Sequence, residues 1–145
     1  MKWIGPILID ELLDNVIDSS IPMPPESNSV YLITKEKWEE NPITAQPLYV
    51  GSITSESKRF KVRIGDLIAD MFGFYNYFRN MGHHSGGQTL HKYCKAEEIN
   101  PKKLYIGWVT DIKCGLCSER ELYNKLKPKL NKKIPQRCKR NHDSL

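Results

Sequence analysis

Ser29-Val30-Tyr31-Leu32-Ile33 and Leu48-Tyr49-Val50-Gly51-Ser52 are two short runs rich in Val, Tyr, Leu and Ile. β-Branched and aromatic side chains suit a pleated, half-buried surface, so the runs predict strands over residues 29–34 and 47–53. Between them KEKWEENPITAQ, residues 35–46, is polar and carries Pro42. It reads as a connecting excursion that lets the two strands pair antiparallel. A third run, Leu104-Tyr105-Ile106-Gly107-Trp108-Val109, is mostly apolar and predicts a central strand.

Helical periodicity surrounds these strands. Residues 7–18, ILIDELLDNVID, place apolar side chains at 8, 9, 12, 13, 16 and 17 and acids opposite them. That spacing predicts an N-terminal helix laid on the core or on a partner, ended by Ile21-Pro22-Met23-Pro24-Pro25. Residues 58–71 predict a second helix with Ile64, Leu67, Ile68 and Met71 on one face and Arg59, Lys61 and Arg63 near its start. Gly82-His83-His84-Ser85-Gly86-Gly87 reads as a tight or flexible loop, followed by a short helix over 88–98. Ser118, with Glu121 three positions on, reads as a capping box for a helix over 119–127 that Pro128 ends. The expected architecture is a single α+β domain over residues 1–145. It has a small three-stranded, mostly antiparallel sheet flanked by helices, a core over about 29–131 and a basic Cys/His tail over 132–145.

Composition narrows the function classes. At 145 residues, with 27% charged and 39% hydrophobic residues, the chain has the balance of an ordinary globular domain. It holds no run of 18 apolar residues and no charged-then-apolar leader, so no membrane partner and a cytoplasmic location are expected. The formal charge of +5 favours an acidic partner, of which nucleic acid is the commonest. Lys58, Arg59, Lys61 and Arg63, with Lys132, Lys133, Arg137, Lys139 and Arg140 in the tail, are the residues expected to hold phosphates.

The order and spacing of these segments resemble the GIY-YIG nuclease family. Tyr31 stands where the first motif has its tyrosine, with Ser-Val in place of Gly-Ile, and Leu48-Tyr49-Val50-Gly51 is close to the second motif. Glu119, Leu122, Pro128 and Asn131 match the later motif, so the resemblance spans roughly residues 29 to 131. It implies a GIY-YIG-like fold and a metal-dependent endonuclease that hydrolyses DNA, expected double-stranded, in a stand-alone restriction-type or phage-defence protein. Target choice then falls to loops, to the N-terminal helix or to a homodimer. The resemblance gives Tyr31 the task of activating water and Tyr49 that of orienting water or phosphate. It gives the helix arginine to Arg63, with Arg59 as the alternative. The family often has a histidine four residues after that arginine; Leu67 stands there, and His84 is the expected substitute.

The residue types suit that chemistry. Phosphodiester hydrolysis needs an oriented water, relief of phosphate charge and help for the leaving oxygen. A lone carboxylate, Glu119, can hold Mg²⁺ or Mn²⁺, which take oxygen ligands and keep several waters. An arginine adds a fixed bidentate charge, and nearby cations favour an ionised phenol.

Cys114-Gly-Leu-Cys117 is followed by Cys138 and His142, two local pairs that resemble a structural zinc site, with Cys94 as an alternative ligand. Such a site would lash the tail to the start of the Glu119 helix. A zinc-stabilised nucleic-acid-binding domain without catalysis is the reading from another function class.

Overall fold

The computed structural model describes residues 2–15, 17–26, 29–52, 60–76, 84–110 and 112–139. Its sheet has four strands rather than three: β1 (Trp3–Leu8), β2 (Val30–Thr34), β3 (Pro47–Ser52) and β4 (Tyr105–Val109), in the order β1-β4-β2-β3. Every pairing is antiparallel, as expected for β2 with β3, and β4 lies centrally as its apolar sequence suggested. The class is therefore α+β.

The extra strand lies mostly ahead of the stretch read as an N-terminal helix and takes Ile7 and Leu8 from it. Trp3–Leu8 pairs with β4, and only Ile9–Leu12 form a helical turn, α1. Of residues 7–18, sheet pairing takes Ile7 and Leu8, and the helical periodicity is realised over Ile9–Leu12. A strand beside β4 satisfies a row of backbone groups, and Pro6 is tolerated because β1 is an edge strand with a bulge between Ile4 and Ile7. Ile7, Ile9 and Leu12 still reach the core.

Three longer helices flank the sheet: α2 (Phe60–Met71), α3 (Ser85–Glu97) and α4 (Gly115–Leu126). The two faces of β2 separate two cores, since alternate strand residues point to opposite sides. Tyr31 and Ile33 pack with Phe60, Ile64, Leu67 and Met71 of α2 and Leu90 of α3. Val30 and Leu32 pack with Leu122 and Leu126 of α4, and with Trp38 and Ala45 from the 35–46 excursion. The helices thus lie on both faces, α2 and α3 against one and α4 against the other.

Two helix starts differ from the sequence reading. The α4 helix begins at Gly115, capped by Cys114, whose sulfur accepts from the Cys117 N–H; Ser118 and Glu119 lie inside the helix. Ser85, Gly86 and Gly87 form the first turn of α3 rather than a loop, with His84 as the cap.

Residues 129–131 cover the outer edge of β3. The Lys129 and Leu130 N–H groups donate to the carbonyls of Pro47 and Leu48. The Asn131 side chain brackets Val50, its Oδ1 accepting from the Val50 N–H at 2.9 Å and its Nδ2 donating to the Val50 carbonyl at 2.8 Å. One asparagine thereby substitutes for a residue of a neighbouring strand. Asn131→Ala leaves both Val50 groups unpaired at a buried position, with an expected loss of about 2 kcal/mol in denaturant unfolding. An unchanged unfolding midpoint would show the bracket to be energetically idle.

Candidate active site

Tyr31 and Tyr49 are brought together by sheet register. Tyr31 pairs with Gly51, which places Tyr49 diagonally across the β2–β3 ladder on the same face. The two rings stack with centroids 6.2 Å apart and an interplanar angle of 24°. Two glycines make room for them. A Cβ on Gly51 would strike the Tyr31 ring and hydroxyl, and one on Gly86 would strike the Tyr49 ring. Gly51 is thus a steric requirement of the Tyr31 ring.

His84 completes this cluster from the start of α3. Its Nε2 lies 2.8 Å from the Tyr31 hydroxyl, and its Nδ1 accepts the Gly87 N–H at 3.1 Å. Burial, followed by the Arg63 charge, lowers the His84 pKa to about 3, so the ring is neutral at pH 7. With Nδ1 accepting, the single ring proton sits on Nε2 and is donated to the Tyr31 oxygen. His84 therefore hydrogen-bonds to Tyr31 as a donor, which favours the ionised phenol. The side chain is buried, although it comes from a stretch that reads as a loop. Asp70 on α2 fixes it further, accepting the His84 backbone N–H at 2.7 Å.

Arg63 lies on α2, 3.9 Å from Asp66, and its charge acts on Tyr31, Tyr49 and His84. It opposes stronger influences. Burial raises the Tyr31 pKa well above the usual phenol value, helped by Tyr49 and Glu119, and burial with Glu119 raises that of Tyr49. The Arg63 cation thus favours the ionised phenol, as expected, but desolvation outweighs it and both tyrosines are neutral.

Glu119 approaches from α4 on the other side of the β3 edge. Its Oε2 accepts the Ser52 hydroxyl at 2.7 Å, and among the described residues it makes no ion pair. Burial raises its pKa, against which the Ser52 hydrogen bond acts. Tyr49 and Glu119 line one cleft of about 560 Å³. Its other walls carry Lys132 and Lys133 from the tail and Ser85, Gln88, Thr89 and Lys92 from α3.

The structure therefore gathers Tyr31, Tyr49, Arg63, His84 and Glu119 around one sheet edge, though Tyr31 is only 2% exposed and lies behind Tyr49. Lys61, Arg137 and Lys139 are exposed, whereas Lys58, Arg59, Arg140 and His142 lie outside the described residues. Sequence reasoning missed Ser52, Asp70 and Lys92. The last was legible as part of a polar stripe, since residues 85, 88, 89 and 92 repeat at helical spacing. Asp70 carried no local signal, because its partner is fourteen residues away.

Cys114, Cys117 and Cys138 form a separate group, their sulfurs all within 4.8 Å of one another. Cys94 is not among them. It lies on the buried face of α3 in the core, outside that group of sulfurs, so it is not the alternative fourth ligand in this arrangement. No protein-family model, curated protein or solved structure matches this chain.

Proposed function

We infer that the chain is a GIY-YIG-type endonuclease that hydrolyses phosphodiester bonds of DNA with one divalent cation. The observation that carries this reading is the convergence of Tyr49 and Glu119, from β3 and α4, on a single lysine-walled cleft beside the Tyr31–His84 pair. Glu119 fits Mg²⁺ or Mn²⁺: it offers carboxylate oxygens and makes no ion pair among the described residues. A cation held there would neutralise the carboxylate, draw in a phosphate oxygen and support the departing one.

The chain's own residues account for the rest. Lys92, Lys132 and Lys133 attract the phosphate backbone into the cleft. Arg63 supplies fixed positive charge next to the tyrosines. Tyr49, at the cleft wall, orients the attacking water; the ionised form of Tyr31, to whose oxygen the His84 Nε2–H donates, takes the water's proton and returns to the neutral phenol. His84 cannot be the base itself, because its Nδ1 lone pair is already engaged by Gly87.

Since burial and Glu119 raise both phenols, cleavage is expected to climb with pH into the alkaline range. No histidine inflection is expected near pH 6.5, because His84 titrates at about 3. The decisive assay incubates plasmid and single-stranded DNA with Mg²⁺ or Mn²⁺ and compares the wild type with Tyr31→Phe and Tyr49→Phe. Metal-dependent cutting by the wild type, reduced about 100-fold or more in each variant, is expected. Binding without cutting would sink the nuclease reading, and wild-type rates in both variants would sink the assignment of these tyrosines. One observation favours the alternative of a non-catalytic nucleic-acid-binding domain: Tyr31 is nearly inaccessible. The same assay separates the two.

A further inference from the structure

We propose that Cys114, Cys117 and Cys138 bind one zinc ion as thiolates, and that this ion fastens the tail wall of the cleft to the helix that carries Glu119. The geometry is that of a metal site. The Cys114 and Cys138 sulfurs are 3.7 Å apart. Two thiolates on a tetrahedral zinc, with Zn–S bonds of about 2.3 Å, stand about 3.8 Å apart. A disulfide would need about 2.05 Å, and no disulfide joins any of the three. The Cys117 N–H already points to the Cys114 sulfur, an arrangement that stabilises charge on that atom.

The donors also suit the ion. Three soft sulfurs brought together select zinc over Mg²⁺, which takes oxygen ligands, so this site and the Glu119 site differ in chemistry. Each thiol releases its proton to solvent as it ligates, and the fourth tetrahedral position is left to a ligand outside the three.

The position of the group in the chain gives the ion its task. Cys114 caps α4, and Glu119 lies one turn further along the same helix. Cys138 ends a segment whose Lys132, Lys133, Ile134, Pro135 and Gln136 line the cleft opposite α3. Among the described residues, that segment is tied down at its start by Asn131 on Val50 and midway by the Arg120 guanidinium donating to the Pro135 carbonyl at 2.8 Å. Residues 132–139 form no helix or strand of their own, so a metal clip near their end substitutes for the missing backbone ladder.

Zinc content of the purified chain, measured by elemental analysis after gel filtration, is expected to be one per chain. Apo protein titrated with Co²⁺ is expected to show sulfur-to-cobalt charge-transfer absorption and tetrahedral ligand-field bands. Cys138→Ser should lose the zinc, whereas Cys94→Ser should keep it. Chelated wild type and Cys138→Ser should show the same downward shift in the thermal midpoint. The measurement is repeated on Glu119→Gln, in which zinc must persist; the outcome is then independent of whether the chain cuts DNA. Reduced wild-type protein that binds neither zinc nor Co²⁺ through sulfur overturns the proposal, as does zinc retained by Cys138→Ser or lost from Cys94→Ser.

Discussion

Glu119→Gln is expected to lower Mg²⁺-dependent cleavage about 10³-fold, equivalent to roughly 4 kcal/mol of transition-state stabilisation, without weakening the fold. The two effects separate because the carboxylate is held where it is needed rather than where it is comfortable. Burial raises its pKa, so the native carboxyl binds its proton more readily than the unfolded chain does. The native state then carries more protons, and stability falls as pH rises above about 4.5, the group's ordinary value. The amide removes that penalty while keeping an acceptor for the Ser52 hydroxyl. Initial rates and thermal midpoints of the same preparations check both halves. A variant that cuts at the wild-type rate would remove Glu119 from the chemistry, and one with a sharply lower midpoint would show the carboxylate to be structural.

His84→Ala is expected to cost about 3 kcal/mol of stability and to slow cleavage. The side chain caps α3 through the Gly87 N–H and donates to the buried Tyr31 hydroxyl, so its removal strands two polar groups. The same residue gives the wild type a distinct acid response. With a native pKa of about 3 and an unfolded value near 6.5, His84 binds a proton only in the unfolded chain across that window. Unfolding therefore takes up a proton, and stability is present in full above pH 6.5 and declines as pH falls toward 3. The decline approaches about 1.4 kcal/mol per pH unit from this group. Urea unfolding at several pH values compares the two proteins. Equal pH slopes for wild type and variant would show that His84 is not buried and neutral.

Legibility in the sequence varied with the range of the interaction involved. The β2, β3 and β4 strands were readable because their composition is local, and α2 because Ile64, Leu67 and Met71 repeat on one buried face. The start of the N-terminal stretch misled because its helical periodicity competes with strand partners nearly a hundred positions away, Ile7 opposite Ile106 and Leu8 opposite Tyr105. The start of α4 was misplaced because serine is a common cap. Here the capping atom is a sulfur, in a residue that the cysteine cluster also claims. Gly86 and Gly87 read as loop because glycine usually breaks helices; Gly87 is needed where α3 closes on Leu67 and Asp70 of α2.

By itself the sequence determined the class, the strand pairing of the two tyrosine segments and the residue types of a candidate hydrolytic site. Each of these follows from side-chain chemistry and short-range periodicity. Only the tertiary structure decided which tyrosine faces the cleft, which nitrogen of His84 carries the proton and which cysteines meet. Those depend on register, burial and helix placement. Tyr31 and Tyr49 are equivalent as letters in a strand, but one lies behind the other across the β2–β3 ladder, and desolvation then sets their protonation.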